Sequence, residues 1–289
     1  MGRRRRLLAA GTLTLVLSLA LGVTGAFAGT FTPEHGGSPN ADDINQLYIL
    51  IGIIAIVVFV AVEGALLWAL FKYKAGKGRV AAQIHGNTRL EVSWTVGAAV
   101  LLVFITVVTF IKLPSIKNPD RTGKNGLQLA SDAIYASTDQ PTPPGGKSLN
   151  IVVDGQQYVW RFQYPDPSGK DLGQKAVFSY EQMVVPSDTT VTLDITADDV
   201  NHSWWIPKLG GKMDAVPGYT NHTWFKAKPG VYKGQCAELC GRNHANMFGE
   251  VKVVSPAEYQ QWYKDQAAAI QEARDEQAKA RPKYDAGTK

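Results

Sequence analysis

Cys236-Ala-Glu238-Leu-Cys240-Gly-Arg-Asn-His244-Ala-Asn-Met247 contains both cysteines of the chain, with a histidine and a methionine at short fixed spacing. The pattern is C-x3-C-x3-H-x2-M. A second histidine, His202, lies upstream in Asp199-Val-Asn-His202-Ser-Trp-Trp-Ile-Pro207, at the end of a predicted strand. Two thiolates, two imidazoles and a thioether are soft donors, and thiolate with thioether favours copper. A mononuclear electron-transfer copper site needs only one cysteine. A second thiolate lets both sulfurs bridge two copper ions, each with one terminal histidine. Met247 then serves one copper as a weak axial ligand, and the backbone carbonyl of Glu238 serves the other. Three plainer readings compete: a disulfide in an exported segment, a structural Cys2His2 zinc site, and coincidence. A disulfide across so short a loop is strained and leaves His244 and Met247 without a role. Zinc has no use for the methionine.

The residues around this stretch set the fold class. From Ser148 onward the chain is built of short alternating runs. Leu149, Ile151 and Val153 alternate, as do Tyr158, Trp160, Phe162 and Tyr164, then Val191, Leu193 and Ile195. Val251 and Val253 close the series, and Gly, Pro and Asp clusters separate the runs. That pattern predicts a small antiparallel β-sandwich or barrel over 148–255. Residues 256–281 turn to Ala, Gln, Glu and Lys, which predicts a helix in a C-terminal segment 256–289. Pro114, Pro119, Pro141, Pro143 and Pro144 punctuate 113–147, which reads as a linker.

The N-terminal part reads as membrane-directed. Arg3 to Arg6 precede the apolar run Leu7–Val23, and Ala26-Phe27-Ala28 has the form of a cleavage site, so 1–28 reads as a signal peptide. Leu47–Leu70 is apolar except for Glu63, and at 1.5 Å per residue it is about 36 Å long. That suffices for a hydrocarbon core of ~30 Å. Val92–Ile111 carries no charge. The predicted arrangement is therefore a transmembrane hairpin within 29–112. Lys72, Lys74, Lys77, Arg79 and Arg89 fall between the two spans, which places that segment on the cytoplasmic side and everything after Lys112 outside.

The 289 residues carry a formal net charge of +5, but from Leu113 onward there are 20 basic and 20 acidic residues. The basic excess thus belongs to targeting and topology and gives no support for nucleic-acid binding. Glu63, a lone acid inside a span, is a functional candidate by default. Glu91 opens the second helix, where Thr88-Arg-Leu-Glu91 fits a capping box.

The copper-type stretch, the upstream His202-Ser-Trp-x-x-Pro207 and two N-terminal spans together resemble subunit II of the haem–copper cytochrome c oxidases. Further matches are Gly234-Gln-Cys236, Gly241, Lys212-Met-Asp214-Ala-Val-Pro217-Gly218 and Glu91-Val-Ser-Trp94-Thr95. The resemblance covers roughly 44–263, apart from much of the linker. It implies a cupredoxin-like barrel holding a dinuclear copper A centre with ligands His202, Cys236, Glu238 (carbonyl), Cys240, His244 and Met247. It implies electrons taken from cytochrome c, or from a cytochrome c subunit of another complex, and passed to haem in subunit I. There oxygen is reduced and protons are pumped. It further implies a magnesium ion at the subunit I interface bound by the Glu238 carboxylate, and a proton path starting at Glu91. Gly155-Gln-Gln157-Tyr158-Val-Trp160 resembles the family's Gly-x-Gln-Trp-Tyr-Trp, with Tyr158 in place of the first tryptophan. Tyr158 and Trp160 are the candidates for accepting the electron, against the plainer reading that both pack the barrel. The implied location is a bacterial cell membrane, with the copper domain on the outer face.

Rival functions are a nitrous oxide reductase-like copper domain, which is soluble, and a quinol oxidase subunit, which lacks the ligands. A membrane-anchored copper-binding or copper-delivery protein is the third. The match around Glu91 and Trp94 counts against the last. The chain has no C-x-x-C-H motif for covalent haem.

Overall fold

The computed structural model describes residues 32–74, 83–127, 148–165 and 176–286, with side chains to residue 280. The expected signal peptide, the centre of the basic segment and residues 128–147 of the expected linker lie outside the described residues.

Among the described residues, two helices are long and apolar enough to cross a membrane: α1, Pro39–Lys72, and α2, Thr88–Lys117. With 34 and 30 residues, they reach about 51 and 45 Å. Both exceed the apolar runs because each continues beyond the hydrocarbon at its outer end. α1 starts at Pro39, where its missing N–H costs nothing. α2 runs through Pro114 to Lys117, so the first residues assigned to the linker are helical. At the inner end of α2 the cap is Asn87: its side chain accepts from Leu90 N–H, and Glu91 Oε1 accepts from Asn87 N–H at 3.1 Å. The expected box beginning at Thr88 is thus displaced by one residue, since an asparagine side chain is the better N-cap acceptor. Trp68 stacks edge-on with Tyr73 and lies under Lys72, an aromatic–basic cluster suited to the inner membrane boundary. Lys112 Nζ ties the outer ends together, at 3.0 Å from Asp43 Oδ1 and 2.9 Å from Gln46 Oε1.

The described residues of the globular part form ten strands: β1 Leu149–Gln156, β2 Val159–Tyr164, β3 Val177–Tyr180, β4 Gln182–Pro186, β5 Val191–Ala197, β6 His202–Trp204, β7 Met213–Ala215, β8 Asn221–Phe225, β9 Gly230–Gln235 and β10 Phe248–Val254. A five-stranded sheet runs β3-β2-β1-β5-β8, a three-stranded sheet runs β4-β10-β9, and β6 pairs with β7. β1 lies parallel to β5, and β4 parallel to β10. The sheets are therefore mixed, not antiparallel throughout as the alternation suggested. Strand period reports which face is buried and is silent on direction. After three strands the chain crosses to the second sheet as β4 and returns beside β1 as β5, which makes that pairing parallel.

Ile151, Val153, Trp160, Phe162, Val191, Leu193 and Ile195 project from the larger sheet onto Met183, Val185, Val251 and Val253 of the smaller, and all are buried. Helix α3, Pro256–Ala286, covers the β3–β4 edge through Tyr259, Trp262 and Tyr263. Trp262 stacks on Tyr164 with centroids 4.9 Å apart.

The domain is fastened to the hairpin. Asn40 Nδ2 donates to Trp224 O at 2.7 Å, Trp224 Nε1 donates to Ile116 O at 2.9 Å, and Lys226 N–H donates to Ser38 Oγ at 3.1 Å. Asn40, Ser38 and Trp224 are buried at this junction. Asn40→Leu leaves the Trp224 carbonyl unpaired, a loss of about 1–3 kcal/mol. Thermal unfolding of the detergent-solubilised chain should show a lowered midpoint, and an unchanged midpoint would contradict this attachment.

Candidate metal centre

The site is the mouth of the β9–β10 hairpin. Register pairs Gln235 with Phe248, so Cys236 and Met247 are the first residues beyond the ladder on either side. Cys236 N–H donates to Met247 O at 2.9 Å and closes the mouth. The loop between them contains Cys240 and a short 3-10 turn, His244–Asn246, where Met247 N–H donates to His244 O. Strand β6 runs alongside: Ala237 N–H donates to Ser203 O, and Gln235 N–H to Trp205 O. This contact carries His202, the first residue of β6, to the loop.

All six residues of the expected donor set converge. Cys236 Sγ and Cys240 Sγ are 3.9 Å apart. His202 Nδ1 is 3.9 Å and the Glu238 carbonyl 3.3 Å from Cys236 Sγ. His244 Nδ1 is 3.6 Å and Met247 Sδ 3.9 Å from Cys240 Sγ. Each sulfur therefore has one imidazole nitrogen and one weak donor beside it. Donor atoms of His202, Cys236 and Cys240 all lie within 4.8 Å of one another. Both cysteines are free, and their separation is far beyond the ~2.05 Å of a disulfide. It is shorter than two metal–thiolate bonds of ~2.3 Å end to end, so both sulfurs can hold the same ion. The residues present thus fit a thiolate-bridged metal pair.

The surroundings exclude water and fix orientation. His202, Cys236, Cys240 and Met247 are buried, while His244 is half-buried and Glu238 exposed. Asp199 Oδ1 lies 2.9 Å from His202 Nε2. A carboxylate only accepts, so Nε2 carries the proton and the Nδ1 lone pair faces the sulfur. Burial opposes charge on His202, but Cys236 and Asp199 on its two nitrogens outweigh that and raise its pKa. Trp160, fully buried, meets His202 edge-on with centroids 5.9 Å apart and Trp204 at 5.2 Å. Gly155 backs the same ring, where a Cβ would stand 3.0 Å from His202 Cδ2. Tyr158 lies instead at the partly exposed β1–β2 turn, against the ligand loop. Glu91 is distant, at the inner end of α2. Sequence reasoning gave no role to Asp199 or to Gln157, whose amide reaches Cys240 O at 2.6 Å. An acid three residues before a ligand-type histidine was the available signal for Asp199. Gln157 stood in the matched Gly155-Gln-Gln157 stretch, but that match assigned it no role.

The two thiols are driven apart electrostatically. Burial raises the pKa of Cys236, but hydrogen bonds involving His202 and the Ser203 and Glu238 backbone outweigh it, bringing the group down to about 6. Burial and then the charge on Cys236 push Cys240 up to about 11. In metal-free protein the thiolate ultraviolet absorbance should therefore rise in two steps, one through about pH 6 and one through about pH 11. A single step near the ordinary thiol value of ~8.5 would contradict this geometry.

Comparison with known proteins follows the same division of the chain. The family model described as "Cytochrome C oxidase subunit II, periplasmic domain" matches residues 149–254, and "Cytochrome C oxidase subunit II, transmembrane domain" matches residues 28–112. The chain is 34% identical to "Cytochrome c oxidase subunit 2" of Alkalihalophilus pseudofirmus, over 80% of this chain and 59% of that one. It is 32% identical to "Probable cytochrome c oxidase subunit 2" of Rickettsia bellii, over 78% of this chain and 80% of that one. Among solved structures, the periplasmic domain of subunit II of cytochrome oxidase from Bradyrhizobium japonicum is 33% identical. That match covers 43% of this chain and 96% of that one, with a TM-score of 0.39.

Proposed function

Because the chain belongs to the cytochrome c oxidase subunit II family, we propose that it is the electron-accepting subunit of a respiratory, proton-pumping cytochrome c oxidase. It is a non-autonomous oxidoreductase subunit in a bacterial cell membrane, with the globular domain on the outer face. The observation that carries this reading is the convergence of two free thiols with two imidazoles, a carbonyl and a thioether. When bound, a dinuclear copper A pair supplies one-electron redox chemistry.

The chain's residues supply the rest. Cys236, Cys240, His202, His244, Met247 and the Glu238 carbonyl would hold the pair, the two thiolates as the strong ligands and the thioether and carbonyl as the weak ones. Buried ligands fixed by backbone hydrogen bonds need little rearrangement when charge changes, which favours fast transfer. Tyr158 takes the electron at the surface. The support is its partial exposure and its position against Gly241, whereas Trp160 has no exposed surface. The donor is cytochrome c or a cytochrome c subunit of another complex, and the acceptor is haem in subunit I, where oxygen is reduced to water. The Glu238 carboxylate, exposed beside the pair, is placed to offer an oxygen ligand to magnesium at the subunit I interface. Glu91, at the cytoplasmic start of α2, is the mouth of a proton path into subunit I.

Rapid mixing of the assembled complex with reduced cytochrome c tests this role. Wild type should oxidise the donor, Cys240→Ser should abolish electron uptake, and Tyr158→Leu should slow it without changing copper content. Undiminished uptake by Cys240→Ser would overturn the reading.

A further inference from the structure

The β1–β2 turn is exposed, yet it makes attachments toward opposite ends of the metal centre, and both come from one residue. Gln157 Nε2 donates to the carbonyl of Cys240 at 2.6 Å. Its backbone N–H donates to Asp199 Oδ2 at 2.7 Å. The other oxygen of that carboxylate, Oδ1, lies 2.9 Å from His202 Nε2. One side therefore reaches a sulfur ligand directly through its own carbonyl. The other reaches an imidazole ligand through a single carboxylate.

The loop is shaped to receive this contact. Gly241, directly after Cys240, has φ +136, a conformation that side chains rarely adopt. A Cβ there would stand 2.6 Å from Tyr158 Oη and 2.8 Å from Gln157 Nε2. The absent side chain lets the turn close onto the ligand loop. The Asp199 carboxylate is held in turn by Val200 N–H at 2.6 Å, so it has little freedom to follow His202 alone.

We propose that Gln157 is a positioning residue that locks the Cys240 and His202 ends of the metal pair to the surface turn and sets the pair's reduction potential. This inference rests on the copper reading above. The physical reason is directional. The amide N–H places its positive end on the Cys240 peptide, next to a thiolate that carries part of the redox charge. That dipole favours the reduced state, which bears the extra electron. The same bond fixes the loop carbonyl while charge changes, as outer hydrogen bonds do at other metal sites. A donor protein that touches the turn therefore touches a lever on both ends of the pair.

Two substitutions in the full chain, assembled into the oxidase, test this. Gln157→Leu removes the donor, and Gln157→Glu, nearly the same shape, replaces it with an acceptor that can bear negative charge. Copper per chain, the electron paramagnetic resonance hyperfine pattern and the midpoint potential are measured for each. The expected result is two coppers per chain, an altered hyperfine pattern, and a midpoint potential lowered in Gln157→Leu and lowered further in Gln157→Glu. Copper lost from a folded Gln157→Glu chain also supports the inference, since the bond then maintains the loop in its metal-binding form. Wild-type potential and wild-type hyperfine pattern in both variants would overturn it. A wild-type chain that takes up no copper pair would instead overturn the functional reading.

Discussion

Two sulfur atoms kept 3.9 Å apart in a loop closed to water are the constraint around which the globular domain is organised. Two thiolates at that distance repel strongly in a poorly solvated site. The chain does not relieve this by forming a disulfide or by turning one cysteine outward. It places one thiol low and the other high on the pH scale, so that without metal the second proton is hard to remove. Ligation to a metal would ease its removal, because thiolates are the ligating form. The arrangement thus gathers soft donor atoms whose mutual repulsion a bound cation would offset. The backbone clasp from Cys236 to Met247 and the β6 contacts to Ala237 and Gln235 keep it from relaxing.

Rigidity extends outward in layers. Behind His202 the edge-on rings of Trp160, Trp204 and Phe162 form a continuous aromatic wall. Beyond the wall, the two sheets bury their facing aliphatic side chains. At the membrane side, Asn40 and Trp224 join the domain to both helices, while Lys112 joins the helices to each other. Each of these contacts removes a way for the distance between the ligand loop and the membrane helices to vary. The attachment at Ser38 and Asn40 lies on the same helix that crosses the membrane, so the domain is positioned by the hairpin itself.

The cluster of soft side chains was legible in the sequence because its chemistry is concentrated. Five of the six donor groups fall within Cys236–Met247, and residues of those types rarely share so short a segment without a metal. Strand positions were legible for a similar reason, since Ile151, Val153, Trp160 and Phe162 alternate as a half-buried sheet requires. Strand direction was not. The parallel β1–β5 and β4–β10 pairings arise from a crossover between sheets, which leaves no local period. The first helix extends past its apolar run where Asn40 and Asn45 are buried by tertiary contact, a burial that hydropathy reads as exposure. Gln157 and Asp199 escaped for the same reason. Each acts through a hydrogen bond to a residue brought near only by folding, Cys240 for one and His202 for the other. Gly241 could be matched as a motif residue, but only the approach of Tyr158 and Gln157 shows why a side chain cannot stand there.

The most direct measurement is metal content with electron paramagnetic resonance on the copper-loaded full chain. Two coppers per chain sharing one unpaired electron, seen as a seven-line hyperfine pattern, is the result this account predicts. One copper with an ordinary four-line spectrum, or zinc in its place, would contradict the bridged pair and with it the electron-accepting role.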